Sequence, residues 1–260
     1  MVAYLGAVWN CRFFWLSLVR MDLRSRYRGS ALGLGWSLLQ PIAMTVLLCT
    51  VFHAIFKMDI SRFAPLLMSG LTFWNFVLCA TLQGCDCFFQ AESYIRQYPA
   101  PMAIYPLRTV LGGIFHFILA LLMVVALSWY MLARPTVAIL LSLLPTLVLL
   151  LVFGWALATL FALVTVRFRD TRHLAEIVMQ ALFYLTPIIY PPDIFPERHL
   201  GFVLTFNPMV PFLTLLRDPL LDGTVPTLAT YASAGLITLV AAGSAALALW
   251  QEERRLIFHL

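Results

Sequence analysis

The sequence predicts an all-α integral membrane protein with six transmembrane helices, an N-terminal amphipathic helix at the membrane surface, and two short re-entrant helices between spans five and six. Hydrophobic residues make up 62% of the 260 residues and charged residues 11%, whereas soluble domains carry about 25% charged residues. Long uncharged runs recur along the chain, and arginines cluster at alternate junctions between them. We therefore expect one transmembrane domain, 1–260.

The uncharged runs define the candidate spans. They cover 29–56, 63–85, 109–133, 135–166, 177–192, 199–216 and 223–251. A helix needs about 20 residues to cross a bilayer, so five of the runs qualify by length. The run at 135–166 is too long for one upright crossing and too short for two, which predicts one long or tilted helix. The doubtful runs are 177–192, which is short, and 199–216, which contains two prolines.

The placement of basic residues decides between the two doubtful runs. An arginine cluster precedes the first span, and such residues stay on the cytoplasmic side. Counting 177–192 as a span and 199–216 as non-spanning puts twelve of the seventeen basic residues inside and both termini in the cytoplasm. A seventh crossing would move the C-terminal arginine pair outside, against this bias. The expected spans are 33–56, 65–90, 107–132, 137–166, 174–190 and 226–250.

Residues 9–28 are predicted to form an amphipathic helix on the cytoplasmic membrane surface. Apolar side chains fall on one side of its helical projection, and Ser17 and three arginines fall on the other. Asp22 and Arg26 interrupt the apolar side. A basic tail on anionic lipid is the alternative interpretation. Because Arg12 interrupts the N-terminal apolar run, we expect no cleaved signal peptide.

The segment 191–223 is predicted to dip into the membrane from outside rather than cross it. It is strongly apolar but repeatedly interrupted by proline. Irregular backbone at membrane depth is tolerated only where protein or water covers it, and an ordinary external loop would expose a large apolar patch. Two short re-entrant helices that cap a pathway are therefore expected.

Two charged turns face the cytoplasm in this scheme. The turn between spans two and three has room for one or two helical turns from Glu92 before Pro99 and Pro101 end them. A short helix there would suit the docking of a cytoplasmic partner. The turn at 167–173 is tight and basic.

The chain offers little chemistry for catalysis or nucleotide binding. Its single lysine, Lys57, lies outside any glycine-rich loop, so a Walker-type site is not expected. Cys85 and Cys87 flank an aspartate but lack a second ligand pair, which favours small buried thiols over a metal site. No catalytic triad or carboxylate pair stands out, and no catalytic, metal or nucleic-acid site is predicted. Four deep ionisable groups are each expected to be satisfied by a neighbouring helix or headgroup: Asp86, Glu176, His53 and His116.

Five motifs follow one another along the chain: a basic helix running through Arg26-Tyr27-Arg28 to Pro41; Ile95-Arg96 with Pro101, Ile104 and Pro106; Phe168-Arg169-Asp170; Pro187 with Ile189-Tyr190-Pro191; and Asn207-Pro208. In this order they resemble the membrane subunit of type-2 ABC exporters that move lipid-linked polysaccharides such as O-antigen, capsule or teichoic acid chains. The resemblance covers nearly the whole chain. Two residues, Met102 and Ala103, stand where the family often has a charged pair, and Pro99 is extra.

The resemblance implies a homodimer in a bacterial inner membrane with its conduit at the dimer interface. Two copies of a separate cytoplasmic ATPase subunit would hold ATP and Mg²⁺, so no cofactor is expected in this chain. The implied substrate is an undecaprenyl-diphosphate-linked glycan, O-antigen foremost. The residues expected to act are Glu92, Ser93, Tyr94, Ile95, Arg96, Arg169 and Asp170 in ATPase coupling; Arg24, Arg26 and Arg28 in headgroup attraction; and Pro187, Tyr190, Pro191, Asn207 and Pro208 in an outer gate.

Three other interpretations stay open. A type-2 exporter of a small drug or lipid would share the spans and the ATPase partner. An ion-coupled carrier would work without an ATPase and would depend on Asp86. A membrane-embedded transferase or phosphatase would need acidic or His chemistry at one face, for which the external candidates are Asp193, Glu197, His199, Asp218 and Asp222.

Overall fold

A computed structural model describes residues 2–30, 33–98, 100–132, 136–191 and 201–259. Within these residues the chain is helical, without strands, which confirms the all-helical prediction. Five stretches are long and apolar enough to cross a membrane: Gly35–Phe56, Ile60–Gln90, Ile104–Met131, Val137–Arg167 and Leu228–Glu253. The protein is therefore built around a bundle of long apolar helices.

The helices follow one another with short connections. They are α1 (Val2–Asn10), α2 (Arg12–Tyr27), α3 (Gly35–Phe56), α4 (Ile60–Gln90), α5 (Glu92–Gln97), α6 (Ile104–Met131), α7 (Val137–Leu141), α8 (Leu143–Arg167), α9 (Thr171–Leu185), α10 (Gly201–Phe206), α11 (Val210–Arg217) and α12 (Leu228–His259). A π-helical turn, Asp218–Asp222, follows α11. The amphipathic helix expected from residue 9 begins at Arg12, and a separate helix precedes it.

Local sequence explains several of these boundaries. The helix α9 ends at Leu185 because Pro187 disfavours helical dihedrals in Thr186. At the start of α4, the carboxylate of Asp59 accepts the Ser61 backbone N–H at 3.0 Å and so caps the helix. The hydroxyl and backbone N–H of Ser61 hold the pKa of Asp59 below its usual value. The long run at 135–166 is one span broken at Ser142, where α7 meets α8.

The helix α4 forms the centre of the bundle and packs against α6 and α8. In its most apolar stretch 78% of the residues are buried, compared with 17% in α3, which lies at the edge. An alanine methyl at Gly84 would lie 2.6 Å from the Cα of Ala158, so α4 and α8 touch backbone to backbone. Small residues permit such close helix packing in membranes. The tight half of the bundle is therefore α4, α6 and α8.

Both ends of the described chain lie at one end of this bundle. The Tyr4 hydroxyl donates to the Glu253 carboxylate at 2.8 Å, and the Met102 backbone N–H donates to the same oxygen at 2.9 Å. Arg167 pairs with Glu252 at 3.7 Å. We call this the α5 end of the bundle. The far end carries Asp59 and a pair between Arg62 and Asp222 at 3.9 Å.

Replacing Gly84 with alanine is expected to lower the midpoint of thermal unfolding, because the added methyl would have to displace the α8 backbone. Overpacking of this kind costs about 1–3 kcal/mol. Gly112→Ala in α6 is the matched control, since nothing lies within 4 Å of its added Cβ. The measurement is tryptophan fluorescence of the purified chain during heating in detergent. Equal midpoints for the two variants would contradict the close contact.

Candidate functional site

The predicted short helix in the turn between the second and third long helices is present as α5. Its Ile95 side chain is 6% exposed and packs into a cluster with Phe88 and Tyr105. Beside Ile95, the Glu92 carboxylate and the Arg96 Nε lie 2.9 Å apart at the surface. The helix is thus anchored by one apolar side chain and presents charged groups to solvent.

The helix α2 packs directly on α5. The Phe14 ring lies 6.4 Å from the Tyr94 ring and 5.5 Å from the Tyr98 ring, measured between centroids. The Tyr94 hydroxyl also reaches the Met21 sulfur at 3.7 Å. Any displacement of α5 therefore acts on α2 through these side chains.

An ion pair fastens α2 to α6. Both oxygens of the Asp22 carboxylate accept from the Arg108 guanidinium, in the bidentate arrangement typical of strong pairs. In the sequence, Asp22 interrupts the apolar side of α2. Its partner Arg108 lies 86 residues away, so sequence analysis did not predict the pair. The only available sequence signal is an acid on the apolar side of one helix and an arginine near the start of another.

The Phe168-Arg169-Asp170 turn also lies at the α5 end. All three residues are exposed. The Arg169 guanidinium carbon lies 5.6 Å from the centroid of the Phe89 ring, close to the end of α4. Since α5 begins at Glu92, the structure brings this turn near α5. The two turns predicted to meet a partner thus share one surface.

A cluster around Glu253 holds the chain after α5. The Ala103 backbone N–H donates to the Tyr4 hydroxyl at 3.3 Å, and the Trp155 indole N–H donates to the Ala103 carbonyl at 3.2 Å. Burial raises the pKa of Tyr4 above its usual value, so its hydroxyl keeps its proton. Met102 and Ala103 are themselves buried, which accounts for apolar residues at positions where the family often has charges.

A groove runs between α3, α4, α6 and α9. It consists of two adjoining cavities of about 310 and 780 Å³ that share five lining residues on α3 and α4. Its lining includes the aromatic rings of Trp36, Trp74 and Phe183 and four side-chain amides, Gln40, Asn75, Gln83 and Gln180. Polar groups are costly among apolar helices and usually mark a substrate path. We therefore take this groove as the candidate binding site.

Basic and hydrogen-bonding groups gather where the groove meets α2. Arg26 and Tyr27 line it together with His116 and Arg172. The Tyr27 hydroxyl lies 3.1 Å from Nδ1 of His116. Arg26 is the one of the three predicted headgroup arginines that lines the cavity; the other two, Arg24 and Arg28, are exposed on α2 and its C-terminal cap.

The deep ionisable groups have polar partners; for Asp86 and His116 the partner lies on another helix, as predicted, whereas those of Glu176 and His53 are local. Asp86 at the end of α4 pairs with Arg172 at the start of α9, and Arg172 also lies 3.5 Å from Glu176. His53 lies 2.8 Å from the Met58 carbonyl oxygen. Cys85 and Cys87 are buried thiols. Within the described ranges no three His, Cys, Asp or Glu side chains are grouped to hold a metal.

The predicted gate residues cluster at the end of α9. The Asn207 amide donates to the Leu185 carbonyl at 3.2 Å and to the Thr186 hydroxyl at 2.9 Å. The Tyr190 hydroxyl donates to the Tyr184 carbonyl. Pro187 is buried, Pro191 is half-buried and Pro208 is exposed.

One residue in this region was missed by sequence analysis. Arg217, at the end of α11, is 7% exposed and donates to the carbonyls of Pro187, Ile188 and Leu66. Sequence analysis had counted Arg217 only as a basic residue of an external loop. Positions 192–200 of the predicted gate segment lie outside the described residues.

A bundle of long apolar helices with a groove between them and charged groups at one end is typical of a multi-pass membrane protein. The ABC-2 type transporter family model matches residues 14–221. The chain belongs to this family and is a multi-pass membrane protein. In these systems the ATPase is a separate subunit, so the chain works with such a partner.

Curated relatives carry one recurring name. An "O-antigen export system permease protein RfbA" of Myxococcus xanthus is 26% identical over 249 residues, which cover 94% of this chain and 95% of that protein. Two proteins of the same name from Klebsiella pneumoniae are 22% and 23% identical over 206 and 208 residues, about four fifths of each chain. The similarity is thus low in identity but extends over most of the length.

Asp22→Asn is expected to release α2 from α6, because Arg108, whose side chain is 10% exposed, loses its carboxylate partner. Because the Asp22 side chain is 39% exposed, removing its charge costs about 1–2 kcal/mol, less than for a fully buried pair. We expect tryptic cleavage within α2 of the purified chain to accelerate about tenfold or more.

Glu92→Gln is the matched control for this experiment, because it breaks an exposed pair worth about 0.5 kcal/mol. The exchanged pair, Asp22→Arg with Arg108→Asp, should recover part of the protection. Unchanged cleavage in Asp22→Asn would mean that apolar packing alone holds α2.

Proposed function

We propose that this chain is the permease subunit of an ATP-driven exporter of an undecaprenyl-diphosphate-linked polysaccharide, O-antigen foremost, in a bacterial inner membrane. It would act as a homodimer with two copies of a cytoplasmic ATPase subunit that binds ATP and Mg²⁺. The observation that carries the proposal is the groove between α3, α4, α6 and α9, whose lining includes both side-chain amides and aromatic rings. The name shared by the relatives in Myxococcus and Klebsiella supports the same substrate.

The composition of the groove favours a glycan over a small apolar substrate. Gln40 and Gln180 are exposed and Asn75 is half-buried, so these amides can exchange hydrogen bonds with the hydroxyls of a sugar chain. Aromatic ring faces suit the apolar faces of sugar rings. The three amides line this groove beside Trp74 and Phe183. The lining therefore supports a polyhydroxylated chain as the cargo.

A second copy of the chain would close the groove. The groove is bordered by α3 and α9, and apolar side chains on these helices are exposed in the single chain, including Val46 at 60% and Ile177 at 67%. A homodimer that packs these helices together would cover apolar surface and convert two grooves into one conduit. This geometry supports the homodimer implied by the family resemblance.

We propose that α9 and the residues after it form the sixth crossing. Arg172 pairs with Asp86 at one end, and the Ile188 carbonyl lies beside Gly70 at the other. Between Gly70 and Asp86, α4 rises about 24 Å, most of the ~30 Å hydrocarbon core. Both ends of the described chain lie at the α5 end, which requires an even number of crossings. The five long helices therefore need one further crossing.

In this scheme the α5 end is cytoplasmic and the far end is external. The arginines of α2 and of the turn after α8 support this orientation. The helices α10 and α11, at six and eight residues, are too short to cross a bilayer that needs about 20. They would instead re-enter from outside and, with Pro187, Tyr190, Pro191, Asn207 and Pro208, form the outer gate. All of these elements would belong to one transmembrane domain.

The coupling surface would consist of α5 and the turn after α8. Glu92, Ser93 and Arg96 of α5, together with Arg169 and Asp170, would meet the ATPase subunit. Ile95 and Tyr94 face inward, to the core and to α2 respectively. Closure of the ATPase pair would push α5 and, through these two side chains, shift the spans and α2 together.

The test is ATP hydrolysis by the purified chain with its ATPase subunit in lipid nanodiscs. We expect a lipid-linked glycan to stimulate hydrolysis at least threefold more than undecaprenyl diphosphate alone or small apolar drugs. Asn75→Leu and Gln180→Leu, which keep side-chain size but remove the amides, should abolish most of that stimulation.

Leu239→Ala is the control, because this apolar side chain is 70% exposed and does not line the groove. Stimulation by drugs but not by the glycan would replace the proposal with a small-molecule exporter. Transport without the ATPase subunit that collapses in Asp86→Asn would replace it with an ion-coupled carrier.

A second prediction concerns the diphosphate. Replacing Arg24, Arg26 and Arg28 together with glutamine should lower glycan export about tenfold at normal membrane insertion, because each loses a charge that attracts the headgroup. Arg26→Gln alone should cause most of this loss, since Arg26 lines the groove. Wild-type export in the triple variant would rule out the headgroup role.

A further inference from the structure

The chain leaves helical geometry after α9 while still packed among apolar helices. Thr186, Pro187 and Ile188 are all buried, and their backbone lies outside regular helix. A buried carbonyl without a donor costs roughly the desolvation of that group. Side chains from a later part of the chain satisfy this backbone.

Arg217 supplies most of these donors. Its Nη1 donates to the Pro187 carbonyl at 2.5 Å, and its Nη2 donates to the Ile188 carbonyl at 3.0 Å and to the Leu66 carbonyl at 3.1 Å. Leu66 belongs to α4. One guanidinium therefore joins three segments: α11, the end of α9 and the start of α4.

The bundle is shaped to admit this guanidinium. An added Cβ at Gly70 would lie 2.9 Å from Nη2 of Arg217 and 3.0 Å from the Ile188 carbonyl oxygen. A glycine at position 70 thus leaves the space that the guanidinium and the neighbouring backbone occupy. Burying the charge is costly, and Nε has no hydrogen-bond partner among the described residues.

We infer that Arg217, helped by Asn207, is a positioning residue that fastens the segment 201–222 to the ends of α9 and α4, so that these parts move as one unit. The planar fork of arginine suits this task, because it reaches separate carbonyls from a fixed geometry. Asn207 makes a second attachment, to Leu185 and Thr186. In the proposed exporter this unit is the outer gate. The predicted effect on transport rests on the proposed function, whereas the fastening role does not.

The experiment measures how often this unit opens. Thr186 is fully buried, and Thr186→Cys places a thiol beneath the segment. The change removes the hydroxyl that accepts from Asn207 but leaves all three Arg217 bonds in place, so every variant is compared within this background. The purified complex in nanodiscs is treated with a maleimide, and labelling at position 186 is followed by mass spectrometry, which separates it from the five native cysteines. Labelling should be slow in this reporter, since modification requires local opening.

Arg217→Met keeps the bulk of the side chain and removes its donors, and it should speed labelling at least tenfold. Arg217→Lys should give an intermediate rate, because an ammonium lacks the planar fork. Gly70→Ala should also speed labelling, since its methyl displaces the guanidinium. Gly112→Ala, whose methyl meets open space, should leave the rate unchanged.

Two readouts show whether the variants label faster because the Arg217 attachment is lost or because the whole protein is less stable. If Gly70 acts through the guanidinium, Gly70→Ala combined with Arg217→Met should label no faster than Arg217→Met alone. A second reporter, Thr159→Cys, replaces another fully buried threonine, on α8. Its labelling should not change in any of these variants. The inference would be overturned if labelling at positions 159 and 186 accelerated equally. It would also be overturned if the effects of Gly70→Ala and Arg217→Met on the labelling rate multiplied in the double variant.

If labelling at position 186 stays slow in Arg217→Met, the inference is overturned as well. In the transport readout, the Arg217→Met complex should keep its basal ATP hydrolysis and lose at least tenfold in glycan export. The labelling assay requires no glycan. Failure of the glycan to stimulate the unmodified complex would therefore reject the proposed function while leaving the fastening role supported by its own measurement.

Discussion

Backbone polar groups inside a bilayer must find partners within the protein, and this constraint governs the whole structure. The long helices satisfy their own groups. Among the described residues, the chain leaves helical geometry after α5 and again after α9 while still packed, and distant side chains supply partners at both places. Glu253 accepts from Met102 at the first place, and Asn207 and Arg217 donate to carbonyls at the second. These contacts join the C-terminal helix to the turn after α5 and the short helices to the end of α9.

The bundle divides into a tight half and an open half. The α4 and α8 backbones touch at Gly84, whereas α3 and α9 border a groove and expose apolar side chains. In the proposed exporter, the tight half would carry force from the ATPase to the open half, which would rearrange. The ion pair between Asp22 and Arg108 attaches α2 to the tight half. The groove, our proposed substrate path, lies in the open half.

Much of the fold follows from the sequence because the bilayer imposes a length on apolar runs. The five long helices and the short α5, ended before Pro101, could be predicted in this way. Tertiary pairs could not, since nothing local in the sequence distinguishes Arg108 or Arg217 from other arginines. Asp22 looked like a flaw in an amphipathic pattern until its partner was located. The lining of the groove could not be predicted either, because it combines residues from five helices, and the sequence pattern does not show how these helices are rotated relative to one another.

The central claim is that the glycan passes along the groove, and photocrosslinking tests it most directly. A benzophenone amino acid at position 75, which lines both cavities, should capture the lipid-linked glycan in exporting cells, and more strongly with active ATPase than with an ATPase-dead partner. The same group at position 239, which is exposed on α12 away from the groove, should capture none. Active export with capture at 239 but never at 75 would contradict the account.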